Sequence, residues 1–255
     1  MATVNISKQS KSFDFDIANI EIKSIFKSDF NPVFGGADKH GDQILTLRVD
    51  NKNYVEVHGK FDFQALLTGG DDAIKKLSEL TLVENGKSFS VTGLAITSEH
   101  VSNASAFSDY IASLSYKIDG NDSANRISTS GKNDRIDAAN GDDFIFSFAG
   151  KDRIDGGLGN DRIDGGADAD LLTGGKGADI FIFTRGSGRD VITDFEANGK
   201  GHDVIDLSDY DGISKFKDID ISHKGNNVTI TLDGGDTITL KGVDYHDLGK
   251  SDFDF

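Results

Sequence analysis

The stretch that decides the fold is Gly156–Asp164, GGLGNDRID, which recurs in register as GGKGADIFI at Gly174–Ile182. In both units six mostly turn-forming residues precede three residues whose middle member is apolar. Glycine, asparagine and aspartate tolerate the positive φ angles that tight turns need. Alternation along a strand places the apolar residue on one face and its two neighbours on the other. Each unit is therefore predicted to be a turn followed by a very short strand.

The same period continues upstream of these two units. Eight apolar residues follow one another at intervals of nine, namely Ile118, Ile127, Ile136, Ile145, Ile154, Ile163, Leu172 and Phe181. A fixed period is the mark of a solenoid, in which each unit buries its apolar face only by stacking on its neighbours. Two turns and two strands then complete one coil of the chain. The eight residues are predicted to form a narrow core.

The turns carry the chemistry, because acidic residues recur two positions before the apolar ones. The residues at this position are Asn125, Asp134, Asp143, Asp152, Asp161, Asp170 and Asp179. Stacked carboxylates repel one another and disfavour a compact state unless a cation bridges them. Carboxylate oxygens and turn carbonyls suit Ca²⁺, whereas Mg²⁺ demands stricter octahedral geometry. Residues 118–182 contain neither cysteine nor histidine for a transition metal.

These rows resemble G-G-x-G-x-D-x-U-x, the calcium-binding repeat of RTX proteins, a secreted bacterial group that includes haemolysin-type toxins, serralysin proteases and mannuronan epimerase modules. The resemblance covers about residues 118–206. The run Ala178–Ser208 is similar to the end of the repeat block in that family. The last segment, DLGKSDFDF, resembles an uncleaved carboxy-terminal signal for type I secretion. The resemblance implies a secreted protein whose partners are calcium and a type I secretion apparatus.

The resemblance also implies a parallel β-roll with several Ca²⁺ ions between turns on the same side. Consecutive rows alternate sides, so one edge would carry Asp134, Asp152 and Asp170, and the other Asp143, Asp161 and Asp179. The implied metal-binding residues are Asp134, Asn140, Gly141, Asp143, Gly150, Asp152, Gly156, Gly157, Gly159, Asp161, Gly165, Gly166, Asp168, Asp170, Gly174, Gly175, Gly177 and Asp179.

Some rows depart from the family pattern. Asn125 stands for aspartate and Lys132 for glycine, so weak or absent sites are expected in the rows ending at Ile127 and Ile136. Asp190 and Asp203 follow after broken spacings of eleven and thirteen residues, and their place in the series stays open.

An acidic, glycine-rich segment of this kind has a second interpretation as a disordered tail, because such segments rarely bury enough apolar surface to fold. The strict placement of the apolar residues favours the roll. Both interpretations combine if the segment is disordered without calcium and folds with it, since a site absent from the unfolded chain couples binding to folding. We expect this coupled behaviour.

Composition limits the partners and the location. The chain has 255 residues, a net charge of −16, 36% hydrophobic residues, 18 phenylalanines and no cysteine. That charge opposes binding to nucleic acid and to anionic lipid. Residues 1–16 lack the apolar run of a signal peptide, and no stretch is long and apolar enough to insert in a membrane. An extracellular calcium module, with affinity of about 10⁻⁴–10⁻³ M, would stay unfolded inside the cell and fold outside.

The sequence predicts an all-β chain in three parts. Residues 1–117 are expected to form a β-rich, sandwich-like domain that ends in a helix over Ser105–Leu114, residues 118–208 the roll, and residues 209–255 a β-hairpin cap with the secretion signal. Asn85 and Gly86 predict a two-residue hairpin turn. The final stretch, Tyr245–Phe255, is expected to be a mobile or lightly docked tail.

The predicted strands of residues 1–117 are Ser12–Asp16, Ile20–Ile25, Ile44–Val49, Tyr54–His58, Leu77–Val83 and Ser88–Thr92. This region lacks H-E-x-x-H and G-x-S-x-G. Asp14 with Asp16, or Glu56 with Asp62, would suit a glycosidase pair, but acidic residues that alternate with phenylalanine are more typical of a strand with one wet face.

Three function classes remain open. The first, which we favour, is a non-catalytic, secreted calcium-binding protein of adhesion, matrix or surface polysaccharide association. The second is an extracellular polysaccharide-active enzyme with its site in residues 1–117, and the third is an effector that uses the roll only for export. On the outer face of the roll, Arg126 and Arg162 are expected to flank Phe144, either as cation-π packing or as a sugar- or partner-binding surface.

Overall fold

The computed structural model describes the backbone of residues 2–6, 13–16, 31–37, 43–48, 54–61, 74–84 and 87–96, and both backbone and side chains of residues 113–197, 199 and 201–255. The chain divides into two compact units. One contains residues 1–10 and 17–117, and the other residues 11–16 and 118–255.

The first unit contains an antiparallel sheet. Its strands are β1 (Ala2–Ile6), β3 (Asn31–Ala37), β4 (Gln43–Arg48), β5 (Tyr54–Phe61), β6 (Ile74–Glu84) and β7 (Lys87–Ile96), in the order β1-β7-β6-β5-β4-β3. Glu84 lies opposite Lys87, which is the register of the two-residue hairpin predicted there. β3 was not predicted, because its Gly35-Gly36 pair and its proline hide the strand pattern. The predicted strand Ile20–Ile25 and residues 105–112 of the predicted helix lie outside the described residues, and Ser113 and Leu114 at the end of that helix are not helical.

The second unit is a parallel β-solenoid of about four turns at residues 117–192, with further strands at its ends. What we call the front sheet has the order β18-β19-β20-β16-β14-β12-β10-β8, and the back sheet the order β2-β9-β11-β13-β15-β17-β21. The front strands are β8 (Tyr116–Asn121), β10 (Arg135–Ala139), β12 (Arg153–Leu158), β14 (Leu171–Lys176), β16 (Arg189–Ile192), β18 (Asp220–Lys224), β19 (Asn227–Thr231) and β20 (Thr237–Lys241). The back strands are β2 (Phe13–Asp16), β9 (Asn125–Ser128), β11 (Phe144–Phe146), β13 (Arg162–Asp164), β15 (Ile180–Ile182), β17 (Val204–Asp206) and β21 (Phe253–Asp254).

The register confirms the predicted alternation of rows between two sheets. Ile136 lies opposite Ile154 in the front sheet, and Ile145 opposite Ile163 in the back sheet. All eight periodic apolar residues are at most 1% exposed, and Ile192 and Ile205 extend the same core. Full burial of such a side chain contributes about 1.5–3 kcal/mol. The core is thus one apolar layer between two sheets.

The turns share one backbone pattern even where glycine is replaced. In the five turns of residues 138–179 the second and fourth positions have positive φ, as at Gly157 and Gly159 (101° and 136°). Ala139, Phe148 and Asp168 occupy such positions with φ of 77°, 69° and 86°. A non-glycine residue is strained in this region. The stacked neighbours therefore impose the turn geometry on these rows.

The carboxy-terminal strands close the roll. β18, β19 and β20 form the antiparallel hairpins that the sequence predicts, and β20 pairs in parallel with β16. The expectation of a mobile or lightly docked tail is wrong: Phe253 lies opposite Ile205 in β17, is 4% exposed and contacts the ring of Phe216 at 5.4 Å. Burial of this phenylalanine and pairing of β21 with β17 hold the segment in place.

The predicted strand near Ser12–Asp16 is present as β2, but it pairs in parallel with β9, Phe15 opposite Ile127, and so belongs to the solenoid unit. Within the described residues we find no helix with the length and apolar character needed to cross a bilayer.

Candidate metal centre

The turn aspartates are buried, although their side chains are acidic. Asp134, Asp143, Asp152, Asp161, Asp170 and Asp179 are at most 3% exposed, as are Asp190 and Asp203. Each stands at the end of a tight turn, immediately before the strand that carries the next core residue. Burial of an ionised carboxylate is costly unless it is paired or binds a metal. Each of these carboxylates therefore needs a paired group or a bound metal ion.

From Asp143 onward, one oxygen of each of these carboxylates, Oδ1, accepts a backbone N–H of the adjacent coil. The backbone N–H of Asp134 donates to Asp152 Oδ1 at 2.7 Å, Asp152 to Asp170 at 2.8 Å, and Asp170 to Asp190 at 2.9 Å. On the other edge the same bonds run from Asn125 to Asp143 (2.6 Å), Asp143 to Asp161 (2.8 Å), Asp161 to Asp179 (2.9 Å) and Asp179 to Asp203 (3.0 Å). The predicted two edges are thus two continuous hydrogen-bonded ladders.

The second oxygen, Oδ2, is buried without a partner in the central rows. The five atoms concerned are Oδ2 of Asp143, Asp152, Asp161, Asp170 and Asp179. A buried polar atom without a hydrogen bond costs about 1–3 kcal/mol, and more when it is charged. Five of them in equivalent positions are a repeated feature that requires a ligand.

The first glycine of each complete row faces this oxygen. A methyl group at Gly156 would clash with Asp161 Oδ2 and would lie 2.7 Å from the carbonyl oxygen of Gly174 in the next coil. At Gly165 it would lie 2.5 Å from Asp170 Oδ2, and at Gly174 it would clash with Asp179 Oδ2. The absence of a side chain lets the carboxylate lie against the glycine backbone. Carboxylate and carbonyl oxygens of adjacent coils converge there.

Backbone oxygens are essential to any cation site here. Nowhere in the described part of the chain do three or more His, Cys, Asp or Glu side chains come together as a metal cluster. Further carbonyls are available, because the positive-φ turns direct them along the stack: the carbonyl oxygens of Gly157 and Gly159 lie against Gly175 and Gly177 of the next coil. An oxygen-only set of carboxylates and carbonyls suits Ca²⁺, which takes six to eight oxygens in flexible geometry.

Burial disfavours the charged form of these side chains. Burial is the largest cause, and it raises the pKa of the ladder carboxyls. The backbone N–H that each carboxylate accepts lowers the pKa, and in most of them neighbouring carboxylates raise it further. The resulting pKa is about 8 for Asp143 and Asp170, about 7 for Asp152 and Asp190, and about 6 for Asp161, Asp179 and Asp203. Without a cation, the ladders therefore hold protons that the unfolded chain would release. A bound divalent ion would replace them.

Three of the predicted site residues are placed differently from the central rows. Asp134 Oδ2 accepts the N–H of Ser130 at 3.5 Å. Asn140 directs its side-chain amide to Asp122 Oδ1 at 2.5 Å, away from the ladder carboxylates. Asp168 has an exposed side chain, and it is its backbone carbonyl that lies against Gly188 in the next coil. The other predicted residues all lie in the turns of the two ladders.

Asp190 and Asp203 continue the ladders, which the sequence left open. Their separations from the preceding ladder member, 20 and 24 residues, replace the regular 18. The signal in the sequence was the D-x-I triplet at each position, Asp190-Val191-Ile192 and Asp203-Val204-Ile205. Asp203 Oδ2 accepts the N–H of Glu196 at 2.8 Å.

At one end of a ladder, protein groups donate hydrogen bonds to the last carboxylate. Asp236 accepts the N–H of Gly186 at 2.7 Å, the N–H of Gly188 at 3.1 Å and the hydroxyl of Tyr210 at 2.7 Å. Although burial acts to raise it, these hydrogen bonds hold the pKa of Asp236 below its usual range. The guanidinium of Arg185 lies over the Tyr210 ring. Both oxygens of this last carboxylate are thus satisfied without a metal ion.

Comparison with known proteins agrees with this geometry. Residues 119–147 and 146–181 match the family model described as "RTX calcium-binding nonapeptide repeat (4 copies)". No curated protein sequence matches the chain.

Among solved structures, the chain is similar to the AlgE6R2 subunit of the Azotobacter vinelandii mannuronan C5-epimerase, with 23% identity, 50% of this chain and 91% of that chain covered, and a TM-score of 0.34. The AlgE6R3 subunit of the same enzyme is similar at 23% identity, with coverage of 50% and 77% and a TM-score of 0.27. The extracellular lipase LipA of Serratia marcescens is similar at 15% identity, with coverage of 99% and 34% and a TM-score of 0.38. The chain thus spans about a third of the lipase's length.

Proposed function

We propose that this chain, in which residues 119–181 carry RTX calcium-binding nonapeptide repeats, is a secreted calcium-binding protein whose roll folds when it meets calcium outside the cell. The observation that carries the proposal is the set of five buried Oδ2 atoms without a partner. Those of Asp161, Asp170 and Asp179 lie against the first glycine of their rows, and oxygen is the ligand type that Ca²⁺ prefers.

The proposed stoichiometry is five ions, one for each such atom. Asp143, Asp161 and Asp179 would hold three on one edge, and Asp152 and Asp170 two on the other. The turn carbonyls, among them that of Gly174, would complete each site. Asp134, Asp203 and Asp236 already have protein donors on their outer oxygens and are not assigned an ion.

Calcium-driven folding would suit export. An unfolded roll can be threaded through a type I apparatus, and a module with affinity of about 10⁻⁴–10⁻³ M stays unloaded at cytosolic calcium. Proteins with this repeat are typically secreted. Outside, ions would neutralise the two ladders and shift the equilibrium to the folded roll, because binding free energy becomes folding free energy.

We further propose a non-catalytic role in adhesion, matrix or surface polysaccharide association. The repeat supports this role as a rigid display surface, since stacked coils hold outer side chains in fixed rows. A net charge of −16 opposes nucleic acid and anionic lipid as partners.

The test uses circular dichroism and amide hydrogen exchange on the full chain, chelated and then titrated with calcium, with magnesium as the matched control. The expected result is a gain of β structure and of amide protection across residues 127–182 with calcium only. Unchanged spectra and exchange, or an equal response to magnesium, would contradict the proposal.

A further inference from the structure

Strands at the centre of the two sheets carry different outward side chains. On the front sheet the outward residues of β10 and β12 are exposed and charged, namely Arg135, Asp137, Arg153 and Asp155. On the back sheet the outward residues of β11 and β15 are apolar and half-buried, namely Phe144, Phe146, Ile180 and Ile182. β11 reads Phe-Ile-Phe and β15 reads Ile-Phe-Ile, which is the composition of strands covered on both faces. The charged strands β10 and β12 of the front sheet are an internal comparison from the same fold.

Phe148 extends this apolar face into the turn. It stands where the complete rows have Gly157, Gly166 and Gly175, and its φ is 69°. A bulky residue in this left-handed region is a genuine outlier, and such strain clusters at functional sites. The residue is nevertheless 37% exposed, and its ring contacts that of Phe146 at 4.1 Å between centroids. The chain keeps an exposed aromatic ring where glycine would be less strained.

We call Phe144, Phe146 and Phe148 the aromatic strip. Polar side chains flank it in the neighbouring strands: Arg126 lies over the Phe144 ring at 4.5 Å, and Arg162 is opposite Phe144 on the other side. Arg162 pairs with Asp206 at 3.4 Å, with its side chain 44% exposed. The surface thus combines flat apolar rings with donors and acceptors at its margins.

We propose that the aromatic strip is a docking site for an uncharged, linear polysaccharide, an inference that rests on the proposed role in surface association and names its ligand class. Pyranose rings present flat C–H faces that stack on aromatic rings, while their hydroxyls take hydrogen bonds from flanking polar groups. The adjoining rings of Phe146 and Phe148 offer the apolar surface for a sugar, and Arg126 over Phe144 offers a donor to its hydroxyls.

The size of the surface favours a slender ligand over a protein. From β9 to β15 and from Phe144 to Phe148, strand spacing and rise give about 14 Å by about 13 Å, or roughly 200 Å². A stable protein interface needs about 800 Å² on each partner. A second copy of the chain therefore gains too little area here for a stable dimer.

Charge favours an uncharged ligand. The chain carries a net charge of −16, which stays negative with the five proposed calcium ions and repels a polyanion. The two flanking guanidiniums already have partners, Phe144 for Arg126 and Asp206 for Arg162. They serve as hydrogen-bond donors at the margin and do not form an uncompensated cationic patch.

The experiment is affinity electrophoresis of the full chain with calcium, in gels that contain either hydroxyethylcellulose, as the uncharged glycan, or polygalacturonate, as the acidic one. We expect retardation by hydroxyethylcellulose that is at least about tenfold weaker in Phe148→Gly, since a stacked aromatic anchor of this kind contributes a large share of binding. Phe148→Gly installs the residue of the complete rows, so calcium-induced folding is expected to be unchanged or stronger. Arg153→Ala on the front sheet is the matched control and should bind like the parent chain.

Each outcome decides the proposal. Retardation by the uncharged glycan that is lost in Phe148→Gly and kept in Arg153→Ala supports it. Any one of four results would overturn it. Three come from the gels: no retardation, a preference for polygalacturonate, or equal binding by Phe148→Gly. The fourth is a dimer in sedimentation that Phe148→Gly disperses. Circular dichroism distinguishes failure of the proposed function from failure of this inference. If the parent chain shows no calcium response, the proposed function fails. If it responds normally to calcium but does not bind the glycan, only this inference is refuted.

Discussion

Asp161→Asn isolates the contribution of one ladder carboxylate. Asparagine keeps an oxygen that can accept the N–H of Asp143, now at 2.8 Å from Asp161 Oδ1, but it replaces the charged Oδ2, which has no partner in the fold, with an amide. The change therefore tests the metal-binding oxygen while leaving the ladder hydrogen bond in place.

The magnitude follows from the role of that oxygen. Loss of groups that only support a metal ligand weakens affinity by about 10–100-fold, and loss of the ligand itself should cost at least as much. This corresponds to about 1.4–2.7 kcal/mol of calcium-linked stability. Without calcium the sign should reverse or vanish, because burial raises the pKa of Asp161 to about 6 and a neutral amide avoids the cost of ionising the group at neutral pH.

The assay is calcium titration by circular dichroism, with thermal unfolding in calcium and in chelator. Asp134→Asn is the matched control, since Asp134 Oδ2 already accepts the N–H of Ser130 at 3.5 Å. It should shift the calcium midpoint less. Equal shifts for the two variants, or destabilisation of Asp161→Asn to the same extent with and without calcium, would refute the reasoning.

Two further outcomes are expected. Because the pKa values of the ladder carboxyls are raised from 3.8 to about 6–8, the folded metal-free roll binds more protons than the unfolded chain in that window. The stability of the metal-free roll is then greatest at low pH and falls as pH rises through about 6–8. The chelated chain should therefore show more β structure near pH 5 than near pH 8. Calorimetry in buffers of different ionisation heat should detect proton release on calcium binding. Gly174→Ala, which would clash with Asp179 Oδ2, should cost about 1–3 kcal/mol in urea unfolding with calcium. Gly131→Ala, which would meet no atom closer than Ala149 Cβ at 3.8 Å, should stay within about 0.5 kcal/mol. No proton release, or equal costs for the two glycines, would contradict the respective argument.

The sequence predicted the roll well because the residues that determine this fold recur at a fixed period. Spacing of the core residues specifies which strands stack, and therefore that Asp143, Asp161 and Asp179 share an edge. Broken spacing at Asp190 and Asp203 concealed two more ladder members, since the ladder depends on where a strand begins and tolerates extra residues in the preceding loop.

The closures of the roll were not predictable in the same way. Asp236 meets Gly186 across 50 residues, and no motif marks the pair. The docking of Phe253 depends on Phe216 and on the free edge of β17, which only the assembled fold brings together. Such contacts are decided by tertiary packing, and a periodic pattern carries no information about them.

The alternation of rows between two sheets limits how a roll of this kind can change in length. Insertion of one nine-residue row would extend the core and keep every ladder bond type, but it would transfer all downstream outer side chains to the opposite sheet. Ile180 and Ile182, which share the back sheet with Phe144, would then lie on the front sheet. A pair of rows restores the original face, because partners in the regular coils are 18 residues apart. Duplication of a single row can therefore lengthen the roll, but only duplication of a pair of rows keeps each outer side chain on its original sheet.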